Sequence, residues 1–362
     1  MTKNILFSTT RMWNCGDDFI GFGVRNIIDY GLGQKANYIA YNRNPDLHLQ
    51  RIKYKTINFH ENGVGKSIDL SQYIARTNWV FDNSWHPRNS LENFSAVIFA
   101  GTPESFGPMV QPLTAALAIH ELPVFYLGIG GFEGRDSWAL DKLEPLDQQQ
   151  LKNAALITVR DEQAENLLKD LNPVLLPCPA LFSNTDKVLE KNRRGTRKKL
   201  KIALTTQPDK SLQPLSGQGV YEYTLQLFRA LIECYDCEVV CHYLDEVQYL
   251  AALNVPIRYS YDARDYFEIF NQYDLLITTR VHGAGAAASL GIPSFVIAHS
   301  ARSGTVKGFR SEIINPAEES VAAAMERISA FDIRRASREL KSHKEDAFRH
   351  YASLLGPVLK NL

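Results

Sequence analysis

The chain has 362 residues, of which 45% are hydrophobic, 22% charged and 10% aromatic. At roughly 150 residues per domain this length predicts two domains, and the composition is that of a globular protein rather than a disordered one. Forty lysines and arginines balance forty aspartates and glutamates. This balance argues against a protein built mainly to bind nucleic acid.

The hydrophobic runs exclude further classes. No apolar stretch approaches the roughly 20 residues that span a bilayer. The apolar part of the opening MTKNILFSTTRMW is too short for a signal-peptide core. Five cysteines, an odd number, are typical of a reducing compartment rather than of a disulfide framework. We therefore expect a cytoplasmic protein.

Short apolar runs alternate with amphipathic stretches along most of the chain. Such runs are typical of buried parallel strands, and the stretches between them have helical spacing. The alternation predicts an α/β fold with doubly wound parallel sheets. The predicted strands are 4–8, 38–41, 96–100, 123–127, 155–159, 174–176, 201–205, 238–243, 275–278 and 294–298. The predicted helices are 18–30, 112–120, 162–171, 220–235, 263–270 and 284–290, with a helical tail from residue 318 onward.

The alternation breaks at residues 184–199, NTDKVLEKNRRGTRKK, which are polar and rich in lysine and arginine. We interpret this segment as a solvated linker, although its charge would also suit an acidic ligand or a membrane surface. The predicted domains are an N-terminal Rossmann-like domain at 1–185, a C-terminal Rossmann-like domain at 200–330 and a helical tail at 331–362. A cleft between the two α/β domains is the expected ligand site.

The stretch 275–307 contains the densest set of candidate site residues. A predicted strand ends at residue 278, and Arg280 and His282 follow before a small-residue helix that we expect to open at Gly283. Ligands of open α/β sheets lie beyond the carboxyl ends of the strands, and exposed N–H groups at a helix start favour phosphate. Arg280 offers a planar fork for phosphate or carboxylate, and His282 can donate to phosphate or transfer a proton. Alternatively, Arg280 pairs with a structural carboxylate and His282 caps the turn.

The next predicted strand ends beside the first and brings further basic groups. His299 follows this strand directly, and Arg302, Lys307 and Arg310 lie in the glycine-containing segment after it. Each of these residues taken singly is also typical of a solvated surface. Because neighbouring parallel strands end at the same edge of a sheet, together they favour an anion site.

The first half offers candidates at three predicted strand ends. Residues 14–18, NCGDD, precede an amphipathic helix, where Asp17 or Asp18 is either the N-cap or a carboxylate in the cleft. The glycine loop at 128–131 is a weak match to a dinucleotide fingerprint, which disfavours a nicotinamide-dependent oxidoreductase. Arg160 follows another strand, where it reaches into the cleft or pairs with the carboxylates next to it.

Two other patterns have simpler interpretations. Cys234, Cys237, Cys241 and His242 resemble metal ligands, but no second ligand pair has zinc-finger spacing, and strand alternation places the last two on opposite faces. We predict ordinary apolar cysteines and no metal. The aromatic run WVFDNSW at 79–85 is either packed in the core or a surface on which sugar rings stack.

These pieces together resemble the polysaccharide pyruvyl transferase family. The resemblance implies two Rossmann-like domains facing across a cleft, as in the GT-B glycosyltransferases, with the acceptor on the first and phosphoenolpyruvate on the second. It implies transfer of pyruvate from phosphoenolpyruvate to two hydroxyls of a saccharide, which forms a ketal in exopolysaccharide biosynthesis. The matching pieces, spread over roughly residues 4–309, are N-x-GD at 14–17, GIG at 128–130, VRD at 159–161, TRVHG at 279–283, GIP at 291–293 and VKGF at 306–309.

The resemblance also implies roles for individual residues. In the family, the arginine-x-histidine pair and the arginine of the VRD element are associated with the donor, and AHSAR at 298–302 departs from the family's more Asp- and Lys-rich phrase. No cofactor is implied. The catalytic candidates are His282, Arg280 and Asp17. The donor-binding candidates are Arg160, Arg280, His282, Gly283, His299 and Lys307. The acceptor-binding candidates are Asn14, Asp17 and Asp18.

Two further classes remain open at this point. A nucleotide-sugar glycosyltransferase would share the two-domain cleft but usually needs a pocket for the base and ribose. A saccharide- or phosphate-binding protein without turnover would keep the fold and the basic strand ends. If the saccharide acceptor is lipid-linked, we expect peripheral contact with a membrane.

Overall fold

The computed structural model of the chain describes residues 2–8, 15–41, 56–61, 64–69, 84–85, 90–101, 106–107, 110–131, 140–186, 200–207, 212, 219–244, 246–260 and 262–360. The α/β fold predicted from the sequence is confirmed, because two parallel sheets account for most of the described strands. Residues 187–199 of the proposed linker, Asn14 and residues 79–83 of the aromatic run lie outside the described residues.

The first sheet has seven parallel strands in the order β5-β2-β1-β6-β7-β8-β9. A separate antiparallel hairpin joins β3 and β4. The strands of this half are β1 (Asn4–Ser8), β2 (Asn37–Tyr41), β3 (Thr56–Glu61), β4 (Val64–Asp69), β5 (Ser84–Trp85), β6 (Ala96–Ala100), β7 (Val124–Ile129), β8 (Leu156–Val159) and β9 (Val174–Leu175).

The second sheet has six parallel strands in the order β12-β11-β10-β13-β14-β15. This is the doubly wound order of a Rossmann fold, in which the chain reverses direction of winding at the first strand and opens a crevice at its carboxyl end. The strands are β10 (Lys201–Thr205), β11 (Asp236–Cys241), β12 (Ile257–Tyr259), β13 (Leu275–Thr278), β14 (Ser294–Ile297) and β15 (Glu312–Ile314).

Helices connect the strands and cover the sheets. Two 3₁₀ segments, Pro179–Phe182 and Ala301–Phe309, are important for the site. The helices are α1 (Cys15–Leu32), α2 (Gln111–Leu117), α3 (Pro145–Lys152), α4 (Glu162–Leu167), α5 (Val220–Cys234), α6 (Glu246–Leu250), α7 (Asp265–Phe270), α8 (Val281–Ser289), α9 (Val321–Ala330) and α10 (Ile333–Leu359). No helix within the described residues combines the length and apolarity needed to cross a bilayer.

Small residues allow the two halves to pack closely. A Cβ on Gly23 of α1 would lie 1.7 Å from the carbonyl oxygen of Pro179, so only glycine permits this contact. A Cβ on Gly285 of α8 would lie 2.7 Å from Ala180 and 2.8 Å from Phe309. All nine residues of α8 are buried, as expected of a small-residue helix enclosed by both halves.

One of three hydrophobic clusters formed by the residues that the structure describes extends across both halves. A single hydrophobic cluster contains Phe7 of β1, Phe125 of β7, Leu276 of β13 and Val296 of β14. Each fully buried side chain of this size contributes about 1.5–3 kcal/mol relative to exposure. The predicted helical tail is α10, which returns to the first half and packs Leu355 and Leu359 near Gly31 of α1. The boundaries of the predicted domains remain a prediction.

The start of α8 differs from the sequence expectation. The helix begins at Val281 rather than at the glycines, so His282 lies in its first turn. Arg280 occupies the N-cap with an extended backbone, and its N–H donates to Thr278 Oγ1 at 2.7 Å. Arg280 lies beyond the end of β13, so its N–H is not paired in the sheet. The hydroxyl of Thr278 satisfies this donor where the chain turns into α8.

Candidate functional site

Arg160 and His282 come from different halves and meet at the carboxyl ends of the strands. Arg160 directly follows β8, and its Nη1 lies 3.2 Å from His282 Nε2. Both residues are buried, with 4% of Arg160 and 8% of His282 exposed. A guanidinium only donates, so the Nε2 atom accepts and the neutral ring has its proton on Nδ1.

The field at His282 is positive. Burial lowers the pKa of His282 well below its usual range, and the charges of Arg160, Arg302 and Arg280 lower it further. The pKa falls because each of these charges, like burial, disfavours a second positive charge on the ring. We refer to Arg160, Arg280, Arg302 and His282 as the cationic cluster.

The position of Arg160 depends on a glycine and on the cap of the next helix. A Cβ on Gly130 would lie 2.4 Å from Arg160 Nε, so the guanidinium occupies the space that a side chain at residue 130 would need. Asp161 is the N-cap of α4 and accepts from Ala164 N at 3.0 Å. Its Oδ2 atom also accepts from Thr305 Oγ1 of the second half at 3.1 Å. Asp161 therefore fixes the turn after Arg160 and links the two halves.

Arg280 pairs with Glu246, a residue that sequence analysis did not single out. Arg280 Nη2 forms an ion pair with Glu246 Oε1. Glu246 is 1% exposed, and its Oε2 atom accepts from the N–H groups of His242 at 2.7 Å and Tyr243 at 3.2 Å. Arg280 Cζ lies 5.0 Å from the centroid of the Tyr243 ring. Pairing with a carboxylate, one of the alternatives from the sequence, is thus observed, and the charge of Arg280 lies close enough to lower the pKa of His282.

His299 lies at the next strand end of the second sheet. Gln207 Nε2 lies 3.2 Å from His299 Nε2, and His299 Nδ1 lies 3.5 Å from the carbonyl oxygen of Ile297. Burial lowers the pKa of His299 to about 4, although the contact with Ile297 opposes this shift. Arg302 and Arg280 lower it as well, so His299 is neutral at pH 7 and lies in the same positive field.

His242, which sequence analysis considered only as a metal ligand, lies against the first turn of α8. It follows β11 and is 3% exposed, and its Nε2 atom has no hydrogen-bond partner among the described residues. A Cβ on Gly283 would lie 3.1 Å from this ring, so the glycine brings the first turn of α8 against His242. Burial, and then the charge of Arg280, lower the pKa of His242 well below its usual range. The described part of the chain contains no group of three or more His, Cys, Asp or Glu side chains placed to hold a metal.

The remaining predicted residues within the described part of the chain lie on α1 and in the 3₁₀ segment Ala301–Phe309. Asp17 is buried in the first turn of α1. Asp18 is half-buried. Burial lowers the pKa of Arg25, and the charge of Asp18 opposes that shift. Lys307 is exposed, and its Nζ lies 3.1 Å from Glu162 Oε1 in an ion pair that joins the two halves.

A cavity of about 390 Å³ lies on another side of Arg160. We refer to it as the side pocket. Its walls come from both halves, and its lining residues are Arg160, Asp161, Glu162, Gln163, Leu175, Leu176, Pro177, Gly304, Lys307 and Gly308.

Two Rossmann-like sheets, joined by α1, α8 and α10 with basic side chains at the facing strand ends, define a protein of the GT-B type. The sequence model of the polysaccharide pyruvyl transferase family matches residues 14–301. The chain therefore belongs to the polysaccharide pyruvyl transferase family. A comparison with proteins of curated function found no match.

Several solved structures share the fold at low sequence identity. UDP-GlcNAc 2-epimerase from Neisseria meningitidis, solved with UDP-GlcNAc, is 11% identical with a TM-score of 0.54, and the alignment covers 98% of this chain and 99% of that chain. S. aureus MnaA, solved with UDP, is 15% identical with a TM-score of 0.52 and coverage of 94% and 90%. UDP-GlcNAc 2-epimerase from Methanocaldococcus jannaschii is 13% identical with a TM-score of 0.52 and coverage of 92% and 94%. At these identities the likeness shows the fold alone.

Proposed function

We propose that this protein transfers pyruvate from phosphoenolpyruvate to two hydroxyls of a saccharide and forms a pyruvate ketal in exopolysaccharide biosynthesis. The observation that carries the proposal is the cationic cluster, in which Arg160 from one half lies 3.2 Å from His282 of the other. Phosphoenolpyruvate has a phosphate and a carboxylate, and guanidinium forks bind both groups. Membership of the family supports the same reaction class.

The proposed reaction balances without a cofactor. The methylene carbon of phosphoenolpyruvate takes up a proton and becomes a methyl group, while positive charge develops at the neighbouring carbon. One acceptor hydroxyl adds to that carbon, the bond to the phosphate oxygen breaks, and the second hydroxyl completes the ketal. The two acceptor hydroxyls release two protons. One replaces the proton that the methylene carbon takes up, and the other leaves with the phosphate as hydrogen phosphate.

His282 is the proposed acid or phosphate ligand. To act as an acid, its ring must first be protonated. The ring is neutral in the free protein, because burial and the neighbouring arginines lower its pKa. An anionic donor beside the ring would raise that pKa, since an opposite charge stabilises the protonated imidazole. In this proposal His282 therefore acquires its proton together with the donor, while Arg160 and Arg280 bind the anionic groups.

The acceptor side of the proposal rests on the start of α1. Asp17 is the proposed base for the attacking hydroxyl, and Asn14 and Asp18 are proposed acceptor contacts. The burial of Asp17 in the first turn of α1 suits a base shielded from bulk water. A lipid-linked acceptor at the cytoplasmic face of a membrane is part of the proposal. Flotation with liposomes at low salt tests that contact, and failure to float would remove it.

The direct test is phosphate release from phosphoenolpyruvate with and without a panel of saccharides. We expect acceptor-dependent release from the wild type and its loss in Arg280→Ala and His282→Ala. Calorimetry with phosphoenolpyruvate distinguishes a missing acceptor from a missing donor site. Binding of UDP in place of phosphoenolpyruvate would favour a nucleotide-sugar transferase, and saccharide or phosphate binding without turnover would favour a binding protein.

A further inference from the structure

The side pocket has a different electrostatic character from the cationic cluster that it adjoins. Its charged lining consists of two cations, Arg160 and Lys307, and two carboxylates, Asp161 and Glu162. Lys307 pairs with Glu162 at 3.1 Å. The lining is therefore balanced in charge, whereas the groups around His282 create a positive field. A balanced lining suits an uncharged occupant better than a phosphate-bearing one.

The walls of the side pocket combine an apolar floor with bare backbone. Leu175, Leu176 and Pro177 supply the floor from the first half, and Leu175 is 42% exposed. Gly304 lines the pocket from the second half, and a Cβ added there would meet no atom within 4 Å. The exposed leucine and the open space at Gly304 both indicate room for a ligand.

Arg160 forms a common wall between the pocket and the cationic cluster. Its Nη1 atom faces His282, while the same residue lines the side pocket. A molecule in the pocket would therefore lie next to an anion held at the cluster. A ring in the pocket would thus position a neighbouring ring of the same saccharide, whose hydroxyls must reach the carbon that bears the donor phosphate.

We propose that the side pocket binds an uncharged sugar ring of the saccharide acceptor, with the apolar face of the ring on Leu175–Pro177 and its hydroxyls toward Gln163. This inference rests on the proposed function and adds a second sugar subsite to the acceptor contacts proposed at the start of α1. The volume of about 390 Å³ lies within the range of small-molecule sites. The opening between the two halves would let the remainder of a longer saccharide stay in solvent.

Gly304→Leu tests the proposal by filling the pocket. The Cβ of the new side chain meets no atom within 4 Å, and the φ of Gly304 lies outside the left-handed region, so we expect the fold to persist. Gly356→Leu is the matched control, because Gly356 of α10 also has nothing within 4 Å and does not line the pocket. The probes are methyl glycosides of glucose, galactose, mannose, N-acetylglucosamine and N-acetylmannosamine, measured by saturation-transfer NMR.

We expect saturation transfer to at least one glycoside with the wild type and Gly356→Leu, and its loss with Gly304→Leu. Leu175→Glu, which places a charge on the apolar floor of the pocket, should give the same loss. With an active acceptor, Gly304→Leu should raise the acceptor KM by at least about tenfold and leave calorimetric binding of phosphoenolpyruvate within about twofold of the wild type.

The proposal is overturned if no glycoside receives saturation from the wild type, or if Gly304→Leu and Leu175→Glu both retain the transfer. The proposed function fails separately, when the wild type neither binds nor consumes phosphoenolpyruvate. Transfer that depends on Gly304 together with no donor binding would leave a saccharide site and remove the pyruvyl transfer.

Discussion

Two buried glutamates of the second half, Glu238 and Glu246, have similar partners and different positions relative to the strands. Glu238 lies in the amino-terminal half of β11 and accepts from Lys201 at 2.5 Å, Arg258 at 2.9 Å and Tyr273 at 2.7 Å. Glu246 follows the carboxyl end of β11 and pairs with Arg280. The first carboxylate joins neighbouring strands, whereas the second fixes an arginine beside His282.

The comparison shows that a buried carboxylate–arginine pair does not by itself indicate a site. What distinguishes the two is the strand direction, because ligand crevices of doubly wound sheets form at the carboxyl ends. If this is correct, matched substitutions at the two glutamates and their arginines should separate stability from donor use.

The largest expected effect is that of Arg280→Ala compared with Arg258→Ala. We expect the first to lower kcat/KM for phosphoenolpyruvate by about 100-fold or more, since it removes a fixed cation from the developing phosphate charge. Arg258→Ala should change kcat/KM by no more than about twofold, because the Arg258 guanidinium pairs with Glu238 in the amino-terminal half of β11. Circular dichroism verifies that both variants are folded before the rates of phosphate release are compared. Equal losses of kcat/KM in the two variants would contradict the hypothesis that only the carboxyl end of the sheet binds the donor.

The next effect is that of Glu246→Gln compared with Glu238→Gln. The first substitution keeps an acceptor for the His242 and Tyr243 amides but weakens the hold on Arg280, so the donor KM should rise by about tenfold. Glu238→Gln should lower stability without changing the donor KM. In an Arg280→Ala background, Glu246→Gln should add no further loss, because a residue that acts through Arg280 has nothing left to position. Additive losses would mean that Glu246 acts independently of Arg280.

A smaller effect is expected from Gly130→Ala at the carboxyl end of the first sheet. The new Cβ would displace the Arg160 guanidinium, from which it would lie 2.4 Å. We expect kcat/KM for the donor to fall by about tenfold, because a small displacement of the Arg160 guanidinium disturbs its alignment with the donor. We expect little change in Tm. Gly21→Ala is the control, because its Cβ would meet Phe7 at an ordinary 3.5 Å. An unchanged rate in Gly130→Ala would show that the contact between Arg160 and His282 is not needed.

The smallest expected effect is on the free energy of unfolding. Its pH dependence distinguishes Glu238, in the amino-terminal half of β11, from His299, at the carboxyl end of β14. Burial alone would raise the pKa of Glu238, but hydrogen bonds from Arg258, Lys201 and Tyr273 outweigh it and lower the pKa to about 2. Its depressed folded pKa contributes stability above the unfolded value of 4.5, and this is lost as pH falls toward 2. Burial lowers the pKa of His299 from 6.5 to about 4. As the pH falls from 6.5 to 4, the unfolded state therefore takes up a proton that the folded state does not, and the free energy of unfolding decreases.

Urea unfolding from pH 7 to pH 3 measures these contributions. His299→Gln should flatten the slope between pH 6.5 and 4 by up to about 1.4 kcal/mol per pH unit, and Glu238→Gln should flatten it only below about pH 4.5. Flattening of both variants in the same pH range would contradict the assignment of the two groups.

Most of the sheet strands that form the core could be predicted because apolar runs are local signals. The bounds predicted for β1, β6, β10 and β13 match the structure, and most of the others agree within two residues. The strands β3, β4, β5, β12 and β15 and the helices α3 and α6 were not predicted. Elements of two to five residues hold too little periodicity to distinguish them from loops, and the longer ones, β3, β4 and α3, are polar segments without a continuous apolar run.

The sequence by itself determined which residues stand at strand ends, because Arg160, Arg280, His282 and His299 each follow a continuous apolar run. Only the tertiary structure decided which of them meet. Arg160 and His282 are 122 residues apart in the chain, and Glu246 is recognised only through its contact with Arg280. The side pocket likewise exists only where the two halves adjoin. The physical reason is that hydrophobic periodicity acts over a few residues, whereas these contacts depend on how α1, α8 and the 179–182 turn pack the two sheets together.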